Sequence, residues 1–194
     1  MEKYNIIHAD PPWNYRNKNT GGSMQSGAAA KYSTLTVEEL CQLPVKLVAD
    51  RNSVLFLWVT VPLLPEGLRV MEAWGYKYKT TLFWRKKMSL GMGFWFRGQV
   101  ECLLFGIRGK VRAFRCQEPN FIQSQALKHS EKPEEFRELI ERATSNSIEQ
   151  PRKLELFGRQ PREGWDVIGN DIDGRDIRDS LNDFLYPHSE EITQ

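Results

Sequence analysis

An α/β domain with a mostly parallel sheet is the fold class this sequence predicts, and three observations predict it. Strand-like and helix-like segments alternate along the chain. The run SVLFLWVT (53–60) is apolar without alternation, as in a strand covered on both faces. The segment KPEEFRELIERA (132–143) puts Phe136, Leu139, Ile140 and Ala143 on one stripe of a helix.

In order, YNIIHA opens the chain as a first strand. Residues 14–31 are polar, rich in Gly, Ser and Asn, and aperiodic, so they read as a long loop of the kind that is either functional or disordered. Thr36-Val-Glu-Glu39 has the capping-box pattern, which predicts a short helix from Thr36 to about Pro44. After the strand at 53–60, Leu64, Leu68, Met71 and Trp74 keep helical spacing up to Gly75. YKYKTTLFW (76–84) alternates into a strand, and 85–99 is a basic, aromatic loop broken by glycines. VECLLFGI (100–107) is a strand, and KVRAF (110–114) suggests a short one. In the helix at 132–143, Pro133 suits the first turn and the acids sit near the positive end. KLELFG (153–158) and WDVIGN (165–170) are the last predicted strands. One domain over 1–194 is expected, with a core of about 4–172 and a peripheral tail at 173–194.

With 40% hydrophobic residues, the 194-residue chain can bury a sizeable core. No apolar run has the length of a membrane span, and no secretory signal pattern opens the chain. Cys41, Cys102 and Cys116 are scattered, which predicts reduced thiols in a cytoplasmic setting. Neither they nor His8, His129 and His188 have zinc spacing, so no metal is expected. Net charge is only +2, but its distribution is uneven. From Ala73 to Val100 there is no acid, against Lys77, Lys79, Arg85, Lys86, Lys87 and Arg97. Arg108, Lys110, Arg112 and Arg115 follow, with Glu101 the single acid among them. A polyanion-facing side is one explanation, and an ordinary solvated face is the other.

The chemistry points to Asp10-Pro11-Pro12-Trp13. In open α/β sheets ligands sit beyond the carboxyl ends of strands, which is where Asp10 falls. The two prolines stiffen the segment and remove two N–H donors while keeping the carbonyl acceptors. A carboxylate beside a bare carbonyl can receive both hydrogens of a planar amino group, and a nearby ring such as Trp13 can stack on the group that carries it. An ordinary Asp-Pro-Pro turn is the plain alternative.

Taken with YSTLTVEEL (32–40), FLWVT (56–60), HSEKPEEF (129–136), KLELFGR (153–159) and the GW…GND set (164–171), the tetrapeptide resembles the MT-A70-like adenine-N6 methyltransferase family. The pieces run in order from about residue 4 to residue 172. The resemblance implies a Rossmann-like, S-adenosylmethionine-dependent methyltransferase fold with a rearranged motif order, the catalytic tetrapeptide preceding the cofactor-binding strand. It implies methylation of the N6 amine of adenine; the minimal chain points to DNA as the substrate, with RNA or a silent nucleic-acid-binding partner subunit as the other readings. A homodimer or a heteromeric partner is compatible with it.

Residue by residue, Asp10, Pro11, Pro12 and Trp13 match the catalytic tetrapeptide. The resemblance places Asp10 between cofactor and target amine, and Tyr32 over the target base. It places Lys132 near the methionine carboxylate of the cofactor, where the following helix N-terminus also favours an anion. Glu155 lies in an apolar strand, where a bare carboxylate is costly. It either holds the cofactor ribose, as the resemblance implies, or forms a buried ion pair with an arginine. Arg159, Asn170 and Asp171 match further positions around the cofactor. Two departures stand out. The chain begins at the first strand, so the cofactor adenine is expected to be held differently from the large eukaryotic relative. After Arg159 that relative's His-Asn pair is replaced by QPREG, where Gln160 or Arg162 is the expected substitute.

The implied mechanism orients the adenine amine through Asp10 and the Pro11 carbonyl for in-line attack on a sulfonium methyl. A carboxylate of ordinary pKa, about 4, is too weak to deprotonate a neutral aromatic amine, so it acts on the charge that develops on nitrogen. The base must be flipped out or already single-stranded. Trp84, Phe94, Trp95 and Phe96 in and beside the basic loop are expected either to serve that step or to be core or a dimer contact.

Overall fold

The computed structural model describes residues 3–14, 34–87, 95–115, 117–125, 131–145 and 147–186. Its centre is one seven-stranded sheet in the order β5-β3-β4-β2-β1-β6-β7. In chain order the elements are β1 (Tyr4–Ala9), α1 (Val37–Gln42), α2 (Val45–Val48), β2 (Ala49–Thr60), a 3-10 turn (Val61–Leu63), α3 (Leu64–Ala73), β3 (Lys77–Lys87) and β4 (Val100–Arg108). They continue as β5 (Phe121–Gln125), α4 (Glu134–Ser145), β6 (Lys153–Leu156), β7 (Asp166–Ile168), α5 (Asn170–Asp173) and α6 (Ile177–Leu185).

The mostly parallel sheet is present, with one reversal. β1 pairs in parallel with β2 and β6, β6 with β7, and β3 with β5. Only β4 runs against its neighbours, antiparallel to β2 on one side and β3 on the other. Both sheet faces are covered, and the unbroken apolar run of β2 follows from that. Leu55, Leu57 and Val59 face a cluster that includes Leu40, Val70, Met71 and Leu181 from α1, α3 and α6. Val54, Phe56 and Trp58 face the other layer, with Phe136 and Ile140 of α4.

Local signals explain the elements. Thr36 caps α1 as a full capping box: Oγ1 accepts from Glu39 N at 3.2 Å, and Thr36 N donates to Glu39 Oε2 at 2.8 Å. The predicted apolar stripe of α4 is buried. The segment at 110–114, expected as a strand, is irregular, and the seventh strand is β5. Its polar, half-exposed residues carry no apolar run to announce it. The tail is not peripheral up to residue 186. Asp176 caps α6 by accepting from Arg178 N, and Ile177 and Leu181 are buried in the first cluster. Their spacing of four is helical, but dense acids around them hide it.

The chain leaves β1 toward β2 on one side and returns to β6 on the other, so the carboxyl end of β1 is the switch point of the sheet. Because β4 is reversed, its first residues, not its last, reach that same rim.

Candidate functional site

Asp10 leaves the carboxyl end of β1 at the switch point, and both of its oxygens accept from Lys132 Nζ at 2.7 Å. Lys132 precedes α4 and is only 8% exposed. A buried ammonium is costly unless surrounded by charge and hydrogen bonds. The surroundings supply both. Glu101 Oε2 lies 3.5 Å from Nζ, and the ring centroid of Trp58 lies 5.4 Å from it. Burial alone would lower the Lys132 pKa, but the charges of Asp10 and Glu101 and the bonds to Asp10 together hold it above its ordinary value. Glu101 in turn pairs with Lys86 near the end of β3. Charges therefore alternate along the rim as Asp10, Lys132, Glu101, Lys86. Glu101 was missed as a site residue by sequence reasoning. Its one signal was an acid standing among bases.

Beside Asp10 opens a cleft of about 310 Å³, lined among others by His8, Lys132, Arg137, Glu155, Phe157 and Arg159. Glu155 on β6 is the register partner of His8 on β1. The sequence left it open between ribose binding and a buried ion pair. Its Oε1 accepts from Arg137 Nη2 at 2.9 Å, and Arg162 Nε lies 3.4 Å from Oε2, so the ion pair exists and the same carboxylate lines the cleft. Arg162 also pairs with Glu134; of the two residues expected as substitutes, Gln160 lines the cleft. His8 accepts from Trp58 Nε1 at 2.9 Å through Nε2, so its remaining proton sits on Nδ1. Burial, and then the Arg137 charge, push its pKa down to about 3 and keep it neutral.

The backbone at the cleft is unusual in two places. Phe157, just past β6, has φ +64°, a left-handed conformation that non-glycine residues rarely adopt and that clusters at functional sites. Gly158 follows, and a Cβ there would lie 2.2 Å from Val167 Cγ1. The close backbone approach here is at Gly169, whose Cβ would lie 2.1 Å from Gly158 O.

The tetrapeptide is strapped down. Pro12 O accepts from Leu35 N at 2.9 Å, and Asn14 N donates to Leu35 O at 3.0 Å. Pro11 O accepts from Trp13 N at 2.9 Å, which leaves it a second lone pair. The expectation that Trp13 offers a face to a base is corrected. It is 6% exposed, packed in the core, and its indole N–H donates to Trp58 O at 3.0 Å. Asn170 and Asp171 begin α5 and are exposed; they do not line the cleft. Tyr32 lies outside the described residues, as do Phe94 and His129. Trp84 of the basic segment is core, whereas Trp95 and Phe96 are exposed.

The cleft suits a ligand that carries both charges and hydroxyls. Carboxylates of Asp10 and Glu155 face cations of Lys132, Arg137 and Arg159, and Glu155 Oε2 has no hydrogen-bond partner among the described residues. S-adenosylmethionine, with an amino acid end, a sulfonium and a ribose diol, has that donor and acceptor set.

Residues 4–171 match the MT-A70 family model. The chain is 32% identical over 192 residues to the Type II methyltransferase M.MunI from a Mycoplasma species, covering 88% of this chain and 78% of that protein. It is 30% identical over 183 residues to a putative N(6)-adenosine-methyltransferase MT-A70-like protein of Medicago truncatula, covering 90% of this chain and 27% of the relative, so it spans about a quarter of that protein's length. A shorter match, 28% over 123 residues, reaches the N6-adenosine-methyltransferase non-catalytic subunit MTB of Arabidopsis thaliana and covers 57% of this chain and 15% of that protein.

Proposed function

The chain belongs to the MT-A70 family, and on that premise we propose that it is an S-adenosylmethionine-dependent adenine-N6 methyltransferase that acts on DNA. The observation that carries the reading is Asp10 at the switch point of the sheet, on the rim of a cleft that Lys132, Glu155 and Arg159 also line. DNA is supported by the similarity to a Type II methyltransferase over most of both chains. RNA is the second reading, favoured by the adenosine-methyltransferase relatives. The intact Asp10-Pro11-Pro12-Trp13 set favours an enzyme over a silent subunit, while the match to a non-catalytic subunit supports a heteromeric partner as a further possibility of assembly.

In this reading Lys132 and Arg159 hold the anionic end of the cofactor and Glu155 its ribose; Asn170 and Asp171, outside the cleft lining, contribute only at its margin. The bound cofactor supplies an electrophilic methyl group on sulfur. The protein's own part is positioning. Asp10 retains lone pairs beyond those that Lys132 occupies, so it accepts one amine hydrogen while still paired. The second lone pair of the Pro11 carbonyl takes the other. The carboxylate then faces the positive charge that develops on nitrogen, in a site fixed before the reaction starts. Tyr32 is the residue assigned to close over the base.

Incubation with methyl-labelled S-adenosylmethionine and matched DNA and RNA strands, followed by digestion to nucleosides, tests the reading. Label in N6-methyladenine from DNA is expected. Label in cytosine removes the adenine assignment, and label from RNA alone replaces DNA as the substrate.

A further inference from the structure

Trp95 and Phe96 are 93% and 90% exposed, side by side, on the segment that leads into β4. Large apolar rings left this open usually await a partner. Their position says which. Lys86 N donates to Gln99 O at 2.9 Å and closes the end of the β3–β4 hairpin just before Glu101. Glu101 touches Lys132, which holds Asp10, so the two rings precede by a few residues the strand end that reaches the site. Arg85, Lys87 and Arg97 flank this edge, besides Lys86, which Glu101 already pairs, with no acid between Ala73 and Val100. A partner for this edge is negatively charged and presents flat apolar faces.

A second copy of this chain fits poorly. Its exposed acids around α6 are already matched within the chain, Asp176 by Arg178 at 2.8 Å and Asp183 by Arg175. An unstacked nucleic-acid strand meets both requirements, since phosphates answer the cations and every base has a ring face. We infer that Trp95 and Phe96 are the stacking platform of the nucleic-acid interface and receive the bases that flank the target adenine. This rests on the methyltransferase reading above and adds the residues by which the strand is engaged.

The test is fluorescence-anisotropy binding of labelled, adenine-containing single strands of DNA and RNA, with S-adenosylhomocysteine present. Trp95→Ala and Phe96→Ala are each expected to weaken binding roughly 5- to 150-fold, and Trp95→Tyr to restore most of it. An abasic strand of equal length is expected to bind wild type and variants alike. Arg97→Gln is expected to lower the salt slope by about 0.7 for every strand. Calorimetric binding of S-adenosylhomocysteine should not change in the ring variants. Undiminished affinity in the double alanine variant overturns the inference. So does an equal loss on the abasic strand, or a dimer in sedimentation that the ring variants dissociate. If wild type takes up S-adenosylhomocysteine but binds no strand, the nucleic-acid reading itself falls and the inference with it. If wild type binds the strand and the double variant binds as well, only the inference falls.

Discussion

The ammonium of Lys132 donates to both carboxylate oxygens of Asp10, at 2.7 Å each, across 122 residues of sequence. The chain thus ties the end of its first strand to the start of α4. Removing either partner has a distinct signature. Lys132→Ala removes the cation that Asp10 and Glu101 share and leaves Glu101 to Lys86 alone, and a stability loss of about 3 kcal/mol is expected in urea unfolding. Asp10→Asn keeps the shape but not the charge. Its expected effect is a loss of methyl transfer of about 100- to 1000-fold, with S-adenosylhomocysteine affinity changed far less. Wild-type activity in Asp10→Asn would remove the proposed mechanism.

His8 makes stability depend on pH. Its pKa is about 3 in the folded protein against 6.5 for the ordinary side chain, so the folded state binds the proton less readily. The stability this represents is fully present above pH 6.5 and is lost as pH falls toward 3. Inside that window the slope approaches roughly 1.4 kcal/mol per pH unit. His8→Gln does not titrate there, and its denaturant midpoint should fall less steeply from pH 6.5 to 4. Parallel curves for the two proteins would show that His8 does not resist protonation.

Gly158 is expected to tolerate no side chain. Its Cβ would meet Val167 Cγ1 at 2.2 Å, so Val167 must turn from its place or β6 and β7 must part. Gly158→Ala should lose about 1–3 kcal/mol of stability and weaken S-adenosylhomocysteine binding in calorimetry, because Gly158 also lines the cleft. Unchanged melting and binding would mean that the strand ends are looser than the geometry states.

Trp13 separates a structural from a stacking role. Trp13→Phe keeps an aromatic face and loses the indole donor to Trp58 O. About 1 kcal/mol of stability should go with that hydrogen bond. Trp13→Ala, which empties a core position, should cost about 3–5 kcal/mol. A ring that stacked on substrate would instead show its loss in binding of the strand, with melting unchanged.

The sequence carried local information well. The capping box at Thr36, the stripe of α4 and the covered strand β2 were legible because each depends on near neighbours. Asp10, Lys132, Glu155 and Arg159 were legible through an ordered resemblance, and they do line one cleft. The direction of β4 was not legible, since local pattern does not distinguish a hairpin from a crossover when residues 85–99 read only as a loop. Without that reversal nothing placed Glu101 beside Lys132. The arginine that pairs with Glu155 was not legible either: Arg137 lies 18 residues away on α4, and only the packing brings its Nη2 to 2.9 Å from the carboxylate. Asn170 matched a family position, yet its helix turns it outside the cleft lining.

The backward strand has one more consequence. Had β4 run with its neighbours, its entry would lie on the far side of the molecule, remote from Asp10. Instead the first residues of β4 stand against the cation that holds Asp10, like a trigger on its sear, with Glu101 Oε2 3.5 Å from Lys132 Nζ. A shift in the register of β4 would move Glu101 against Lys132, and so be felt at the chemistry, before it was felt by the fold.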